Sequence, residues 1–267
     1  MRAREPRVSA RKPRVGAWVR EIDRLARAIP RCTACPELRA YCARVAREKR
    51  RAFASEEYWG RPVPGFGDPQ ASIWILGLAP AAHGGNRTGR IFTGDRSGDF
   101  LFAGLHRAGL ANQPHSVACD DGLSLRGVWI SASLRCAPPG NRPTPDELET
   151  CARWLDAERS ALANVRVVFC LGGIAWNAAL DLEVRHGFVL PKPRPRFGHG
   201  ARFCAGGRTL VGCYHVSQQN TFTGRLTPAM FEAAIAMAVK ESGSRAAGSR
   251  SSPRSRTAGP RGRSPNP

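Results

Sequence analysis

Five polar side chains stand where their types and spacing could do chemistry. His83, Asn86, Asp95 and Asp99 fall inside one glycine-rich stretch, and His215 closes an apolar run much later in the chain. The stretch reads S-I-W-I-L-G-L-A-P-A-A-H-G-G-N-R-T-G-R-I-F-T-G-D-R-S-G-D from Ser72 to Asp99, with five glycines between Gly84 and Gly98. Glycines let a backbone approach a ligand closely and turn N–H groups toward it. Asn86 can donate and accept at once, and Phe92 is a ring that could stack on a flat ligand or anchor the loop in the core. A second chemistry lies in the cysteines. Cys32-Thr33-Ala34-Cys35 is a C-x-x-C pair that follows a helical segment and precedes Pro36. A thioredoxin-like redox pair is expected after a strand, so the live readings are a zinc or an iron–sulfur site, each needing two more ligands. Cys136 and Cys151 are separated by fourteen residues, a spacing that leaves both readings open.

Positioning these groups requires strands that end in loops. Ser72–Leu78 is a short apolar run, consistent with a strand buried on both faces. Val128–Leu134, Val165–Leu171 and Thr209–Tyr214 repeat that pattern. Between them, Phe100–Leu110 and Gly172–Leu180 read as helices, and Thr144-Pro145-Asp146-Glu147 is a strong helix start that places Cys151 two turns inside. Ala17–Ile29 carries an apolar stripe at Trp18, Ile22, Leu25, Ala26 and Ile29. Tyr41–Glu57 is helix-compatible, Trp59–Asp68 and the basic, proline-rich Leu190–Gly200 read as loops, and Thr227-Pro228 starts a helix to Val239. Four strands separated by helices predict a single α/β domain, an α/β/α sandwich with a central four-stranded parallel sheet. Parallel strands put their trailing loops on one edge, so His215 can face Asp95 across a cleft.

The 267 residues carry a formal net charge of +20 with a pI near 11. Residues 1–15 contribute +5 and residues 244–267 contribute +6, leaving +9 for the body. Such a surplus favours a polyanionic partner, most simply nucleic acid. The expected organisation is a disordered basic arm over 1–15, a folded domain over 16–241 and a disordered Arg/Ser/Pro/Gly tail over 242–267. No apolar run is long enough for a membrane span, and the arginine-rich start lacks a secretory apolar region, so a cytoplasmic location is expected. Nine cysteines in that setting read as reduced thiols or metal ligands. Cys42, Cys119, Cys170, Cys204 and Cys213 are read as small buried apolar residues.

Three ordered blocks carry a resemblance. G-L-A-P-A-A-H-G-G-N-R-T-G-R-I-F-T-G-D, C-A-P-P-G-N-R-P-T-P at Cys136–Pro145 and H-V-S-Q-Q-N-T-F-T-G-R-L-T at His215–Thr227 resemble the motifs of the family 5 uracil-DNA glycosylases. That is the broad-specificity branch carrying an iron–sulfur cluster, and the likeness spans roughly residues 32–240. The resemblance implies a 4Fe-4S cluster on Cys32, Cys35, Cys136 and Cys151. It implies a monomer acting on double-stranded DNA with the damaged base flipped out. Asp95 and His215 are then the catalytic pair: Asp95 for water or the sugar cation, His215 for negative charge on the departing base. Gly77, Ala79, His83, Asn86 and Phe92 form the base pocket, with Asn86 at the base edge and backbone N–H groups around residues 77–82 on its carbonyl oxygens. Gln218, Gln219, Asn220 and Phe222 are expected in a groove-entering loop, Phe222 as a wedge, with Arg225 near a phosphate.

The blocks depart from other branches in one informative way. Gly77-Leu78-Ala79-Pro80 has an alanine where classical uracil-DNA glycosylases place a water-activating Asp, and Leu78 where family 4 relatives carry a Glu. Asp95 is therefore the nearest substitute and Asp99 the weaker one. Ser131-Ala132-Ser133 stands where some relatives have Asn. Other readings are a family 4-like glycosylase, a non-catalytic iron–sulfur protein that binds nucleic acid, and a zinc-containing nucleotide hydrolase.

Overall fold

The computed structural model describes residues 15–248. In chain order the elements are α1 (Val15–Ala28), α2 (Pro36–Glu48), β1 (Phe66–Gly67), β2 (Ile73–Gly77), α3 (Gly85–Thr88), α4 (Arg96–Arg107) and β3 (Val128–Ala132). Then follow α5 (Pro145–Ala161), β4 (Val167–Leu171), α6 (Gly173–Arg185), β5 (Arg202–Ala205), β6 (Arg208–Cys213), α7 (Gln218–Phe222) and α8 (Pro228–Gly248). The sheet order is β1-β3-β2-β4-β6-β5. β3, β2, β4 and β6 are mutually parallel, as expected. Two short antiparallel edge strands, β1 and β5, make the sheet six-stranded, not four-stranded. They escape a sequence reading because β1 is only two residues long and β5 leaves Arg202 and Cys204 exposed.

Alternation along the central strands builds a core on each face. Ile73, Ile75, Val128, Ile130, Val167, Phe169 and Val211 face one way, against Leu101, Phe102 and Leu105 of α4 and Phe231, Ile235 and Ala238 of α8. Trp74, Leu76, Trp129, Val168, Cys170 and Leu210 face the other, against α1, α5 and α6. Ile22, Leu25 and Ile29 of the expected stripe are buried there, whereas Ala26 is exposed. This is the predicted three-layer sandwich.

The chain runs from β2 to β3 on one side and then back to β4 on the other. Strand order therefore reverses beside β2, and an open parallel sheet binds its ligands at such a point, beyond the carboxyl ends. Gly77 pairs with Ala132, and Leu171 with Cys213, so the loops after these residues emerge along one edge.

Several helix boundaries differ from expectation. α4 starts at Arg96, four residues before Phe100, because Asp95 caps it. α2 covers Pro36–Glu48, since Pro36 suits a first turn and Lys49 leaves the helix at φ 53°. Residues 218–222, expected as loop, form the short helix α7. α8 continues through 242–248, beyond the expected domain end at 241. The disorder expected for residues 1–14 and 249–267 lies outside the described residues. Cys119 and Cys204 are exposed, unlike the buried Cys42, Cys170 and Cys213. Among the described residues, no helix is long and apolar enough to cross a membrane.

Candidate functional site

A cleft of about 1200 Å³ opens at the carboxyl edge of the sheet. Ala81–Gly84 and Gly94–Ser97 with Asp99 form one wall, Pro138, Gly140 and Asn141 another, and Ser217–Gln219 a third. Residues far apart in sequence, from all three motif blocks, thus share one cavity.

Asp95 sits where the loop after β2 turns into α4. Its Oδ1 accepts the Gly98 N–H at 2.9 Å, the bond of a helix N-cap. Its Oδ2 lies against Gly84, where any side-chain carbon would collide with the carboxylate. The glycine at 84 therefore makes room for Asp95. Burial pushes the Asp95 carboxyl above the usual carboxylate range, opposed by the N–H groups of Gly98 and Ser97; Asp99 adds to the rise and Arg87 opposes it.

His215 follows the last residues of β6. Its ring lies 6.2 Å from the Phe92 ring, tilted by 42°, and its Cβ approaches Gly172 at the end of β4. Burial lowers its pKa to about 4, so the imidazole is neutral at physiological pH. Phe92 adopts φ 54°, a left-handed backbone uncommon for an aromatic residue. Its ring packs on Gly77, where a Cβ would meet it at 2.8 Å. Phe92 is 5% exposed and belongs to the core, so its ring anchors the loop and supports His215.

Asn86 is turned away from the cleft. It is 1% exposed, its amide nitrogen lies 3.4 Å from both the Cys42 and Ala82 carbonyls, and its Oδ1 has no partner. His83 does line the cleft and shares a 3.1 Å hydrogen bond with the Tyr58 hydroxyl. Burial, with Arg50 and Arg87 nearby, lowers its pKa. Gly77 is buried in β2, and Ala79 packs against the cysteine cluster described below. Ser131 and Ser133 turn inward, to Glu158 and to the Gly77 carbonyl.

Gln218 and Gln219 line the cleft from α7. Asn220 donates to the His215 carbonyl at 2.8 Å and so fixes the turn that carries the histidine. Phe222 is 75% exposed at the end of α7. Arg225 is exposed and stacks over the Tyr214 ring at 4.8 Å.

Cys32, Cys35, Cys136 and Cys151 line a second, narrow cavity with Leu38, Leu134, Arg135 and Trp154. Cys136 and Cys151 are each 7% exposed, and Cys32 and Cys35 are half-buried. The capping box predicted at Thr144 and Glu147 is present, and it starts the helix that carries Cys151. N–H donors already meet sulfur: Arg135 N reaches Cys151 Sγ at 3.3 Å, Arg153 Nη2 reaches Cys32 Sγ at 2.9 Å, and the Ala34 N–H and Trp154 indole also serve Cys32. Among the described residues, no three His, Cys, Asp or Glu side chains are gathered so as to hold a single metal ion.

The description "Uracil DNA glycosylase superfamily" matches residues 64–238, which hold every cleft motif. This chain belongs to that superfamily. It is 57% identical over 203 residues to the type-5 uracil-DNA glycosylase of Mycobacterium bovis, covering 75% of this chain and 74% of the relative. It is 55% identical over 201 residues to the type-5 enzyme of Thermus thermophilus, covering 75% and 89%. The type-4 uracil-DNA glycosylase of Archaeoglobus fulgidus is 33% identical over 121 residues, covering 45% and 53%.

At the cleft of this superfamily chain, the residue that sequence reasoning missed is Arg87. It is 7% exposed, donates to the His83 carbonyl at 2.9 Å and the Gly94 carbonyl at 2.7 Å, pairs with Glu56 and stacks over Phe53 at 3.9 Å. It clamps the His83 and Asp95 halves of the loop together. The only signal was an arginine between glycines, which also describes a surface turn. Arg90 does the same farther out, reaching Asp121 at 2.5 Å and Ser116 at 2.7 Å.

Proposed function

We propose that this protein is a monofunctional DNA glycosylase. It hydrolyses the N-glycosidic bond of uracil and of other deaminated or damaged bases in double-stranded DNA, the step that initiates base excision repair. It acts as a monomer on the nucleoid in the cytoplasm. The observation that carries the reading is the meeting of all three motif blocks at one cleft, with Asp95 in its wall and the His215 turn beside it. The chain's similarity to type-5 uracil-DNA glycosylases supports the substrate.

The chemistry follows from the two groups. The damaged base is flipped into the cleft with its sugar toward Asp95. As the C1′–N bond breaks, its electron pair leaves with the base, and water adds to C1′. Asp95 orients that water, takes its proton and offsets positive charge on the sugar. Because Oδ1 is occupied by the helix cap, Oδ2 on the Gly84 side is the oxygen assigned to this work. His215, neutral at pH 7, donates an N–H to a carbonyl oxygen of the base as negative charge grows there. His83 and the backbone of residues 77–82 complete the pocket, and the buried Asn86 amide reaches a base only if its loop shifts. α7, with Gln218, Gln219 and Phe222, fills the gap left by the base, Asn220 holds the turn, and Arg225 meets a phosphate.

The chemistry of the donor set in the cysteine cavity supports a 4Fe-4S cluster there. Four thiols surround one apolar-walled space, with a guanidinium on Cys32 and a backbone N–H on Cys151, donors suited to anionic sulfur. Cys32, Cys35, Cys136 and Cys151 would each hold one iron of such a cluster. A bound cluster supplies iron–thiolate bonds that cross-link the 32–35 turn, the segment after β3 and α5.

Release of uracil from duplex DNA under single-turnover conditions tests the reading. Wild-type protein is expected to excise uracil, and Asp95→Asn to bind the same duplex but excise it slowly. A folded protein that binds DNA and leaves every uracil in place would instead support the non-catalytic alternative.

A further inference from the structure

Several buried side-chain nitrogen or oxygen atoms among the described residues lack a hydrogen-bond partner. Two of them, Nε and Nη1, sit on Arg135, which lines the cysteine cavity; Trp154 Nε1 in the same cavity turns to the Cys32 sulfur. Arg135 is 1% exposed, so its unused donors cannot turn to bulk water. Its remaining nitrogen, Nη2, pairs with Glu158, which also accepts the Ser131 hydroxyl at 2.8 Å; Ser131 in turn accepts the Trp74 indole N–H at 2.8 Å. One end of the guanidinium is thus fully engaged under the sheet, while the other has no partner in the protein. Folded proteins rarely leave buried donors in that state, because each forfeits its hydration without replacement. The Trp154 indole lies beside Cys32 and under the Arg153 guanidinium, whose carbon is 5.1 Å from the ring.

We infer that Arg135 and Trp154 are positioning residues whose N–H groups donate to the sulfurs of the cluster, so that charge and hydrogen bonds hold it alongside the four thiolates. The inference rests on the cluster reading above. Four thiolates leave such a cluster anionic, and donors aimed at its sulfurs stabilise the more reduced, more negative form. Arg135 then does two things at once. It neutralises Glu158 at one end and satisfies cluster sulfur at the other, joining the cavity to the buried polar network beneath β3.

The test uses full-length protein purified anaerobically, with Arg135→Lys and Trp154→Phe compared with wild type. Lysine keeps the charge but loses the fork, and phenylalanine keeps the ring but loses the N–H. Each variant is assayed for iron and sulfide content, the rate of iron release to a chelator, and reduction potential by direct electrochemistry. Both are expected to release iron about tenfold faster, the lower end of the loss seen when outer partners of a metal site are removed. Both potentials are expected to move to more negative values. Wild-type release and potential in folded, iron-loaded variants would overturn the inference. If Arg135→Lys fails to fold beside Glu158, Trp154→Phe alone decides. Wild-type protein without iron and sulfide would overturn the cluster reading and this inference together, whereas loaded wild type with unaffected variants overturns this inference only.

Discussion

The cleft and the cysteine cavity share the loop that leaves β2, yet they are built on opposite terms. Ala81, Ala82, His83 and Gly84 line the cleft, while Ala79 and Ala82 pack against Leu38, Leu134 and the cysteines. In the cleft and beside it, protein groups hold the key side chains: Gly98 holds Asp95, Tyr58 holds His83, Asn220 holds the His215 turn next to the cleft, and Arg87 clamps the loop. In the cavity, the buried Nε and Nη1 of Arg135 have no protein partner. The difference teaches that the cleft is preorganised by the chain itself, whereas in the cavity the proposed cluster would supply acceptors that Arg135 lacks in the protein. Preorganised donors lower a barrier because they need not reorganise as charge develops. A cavity that needs its occupant makes folding depend on that occupant.

The largest expected effect breaks the comparison if it fails. Cys32→Ala, Cys35→Ala, Cys136→Ala and Cys151→Ala should each lose iron and lower thermal stability, while the exposed Cys119→Ala keeps both. Structural metal sites in small domains bind with on the order of 10 kcal/mol, so the loss is readily seen in metal analysis and melting curves. Full iron retention in any of the four removes that residue from the ligand set.

Cleft variants should do the reverse, costing rate and little stability. Asp95→Asn keeps a capping side chain at the start of α4 but removes the charge. It should slow single-turnover excision by roughly a hundred- to a thousandfold, equivalent to about 2.7–4 kcal/mol, with duplex affinity similar. His215→Ala should fall in the same range, with a larger penalty for a poorer leaving group such as hypoxanthine than for uracil. An Asp95→Asn enzyme at wild-type speed on every base ends the carboxylate assignment, and a base-independent His215 effect ends the leaving-group one.

A smaller effect is expected at Gly84. An alanine there pushes its Cβ against the Asp95 carboxylate without removing its charge or the capping side chain. Displacing the carboxylate should cost about tenfold in rate, or about 1.4 kcal/mol, with the melting temperature nearly unchanged. Wild-type rates for Gly84→Ala would show that Oδ2 is not the working oxygen.

Much of this was legible in the sequence because it rests on local rules. The four parallel strands appear as short apolar runs, and the α5 start appears in Thr144-Pro145-Asp146-Glu147. Gathering the four cysteines took a family resemblance, since fourteen residues between Cys136 and Cys151 fix no geometry. What stayed hidden depends on tertiary context. Asp95 reads as an acid in a loop until Gly98 shows it capping α4, and Phe92 and Asn86 read as ligand contacts until burial turns them inward. Arg87 and Arg135 look like two more arginines in a basic chain, although both are buried and each anchors one of the two sites.

The smallest effect is a flat one, and it tests whether the chain alone sets the state of the cleft. Burial brings the His215 pKa to about 4 and pushes the Asp95 carboxyl above its ordinary range. If Asp95 acts as proposed, as a carboxylate, excision should fall as the pH drops through that raised value. If His215 acts as proposed, as a neutral donor, no limb should appear near 6.5, where an exposed imidazole titrates. Folding stability carries the same sign for the histidine. Its folded pKa is depressed, so its contribution is present above about pH 6.5 and is lost as the pH falls toward 4, because the unfolded chain takes up the proton first. Imidazole nitrogen shifts followed by NMR should give a midpoint for His215 at about 4, with a single neutral tautomer at pH 7. A midpoint near 6.5, with a matching limb in the single-turnover rate, would mean that water reaches the ring and that the cleft is less preorganised than its hydrogen bonds imply.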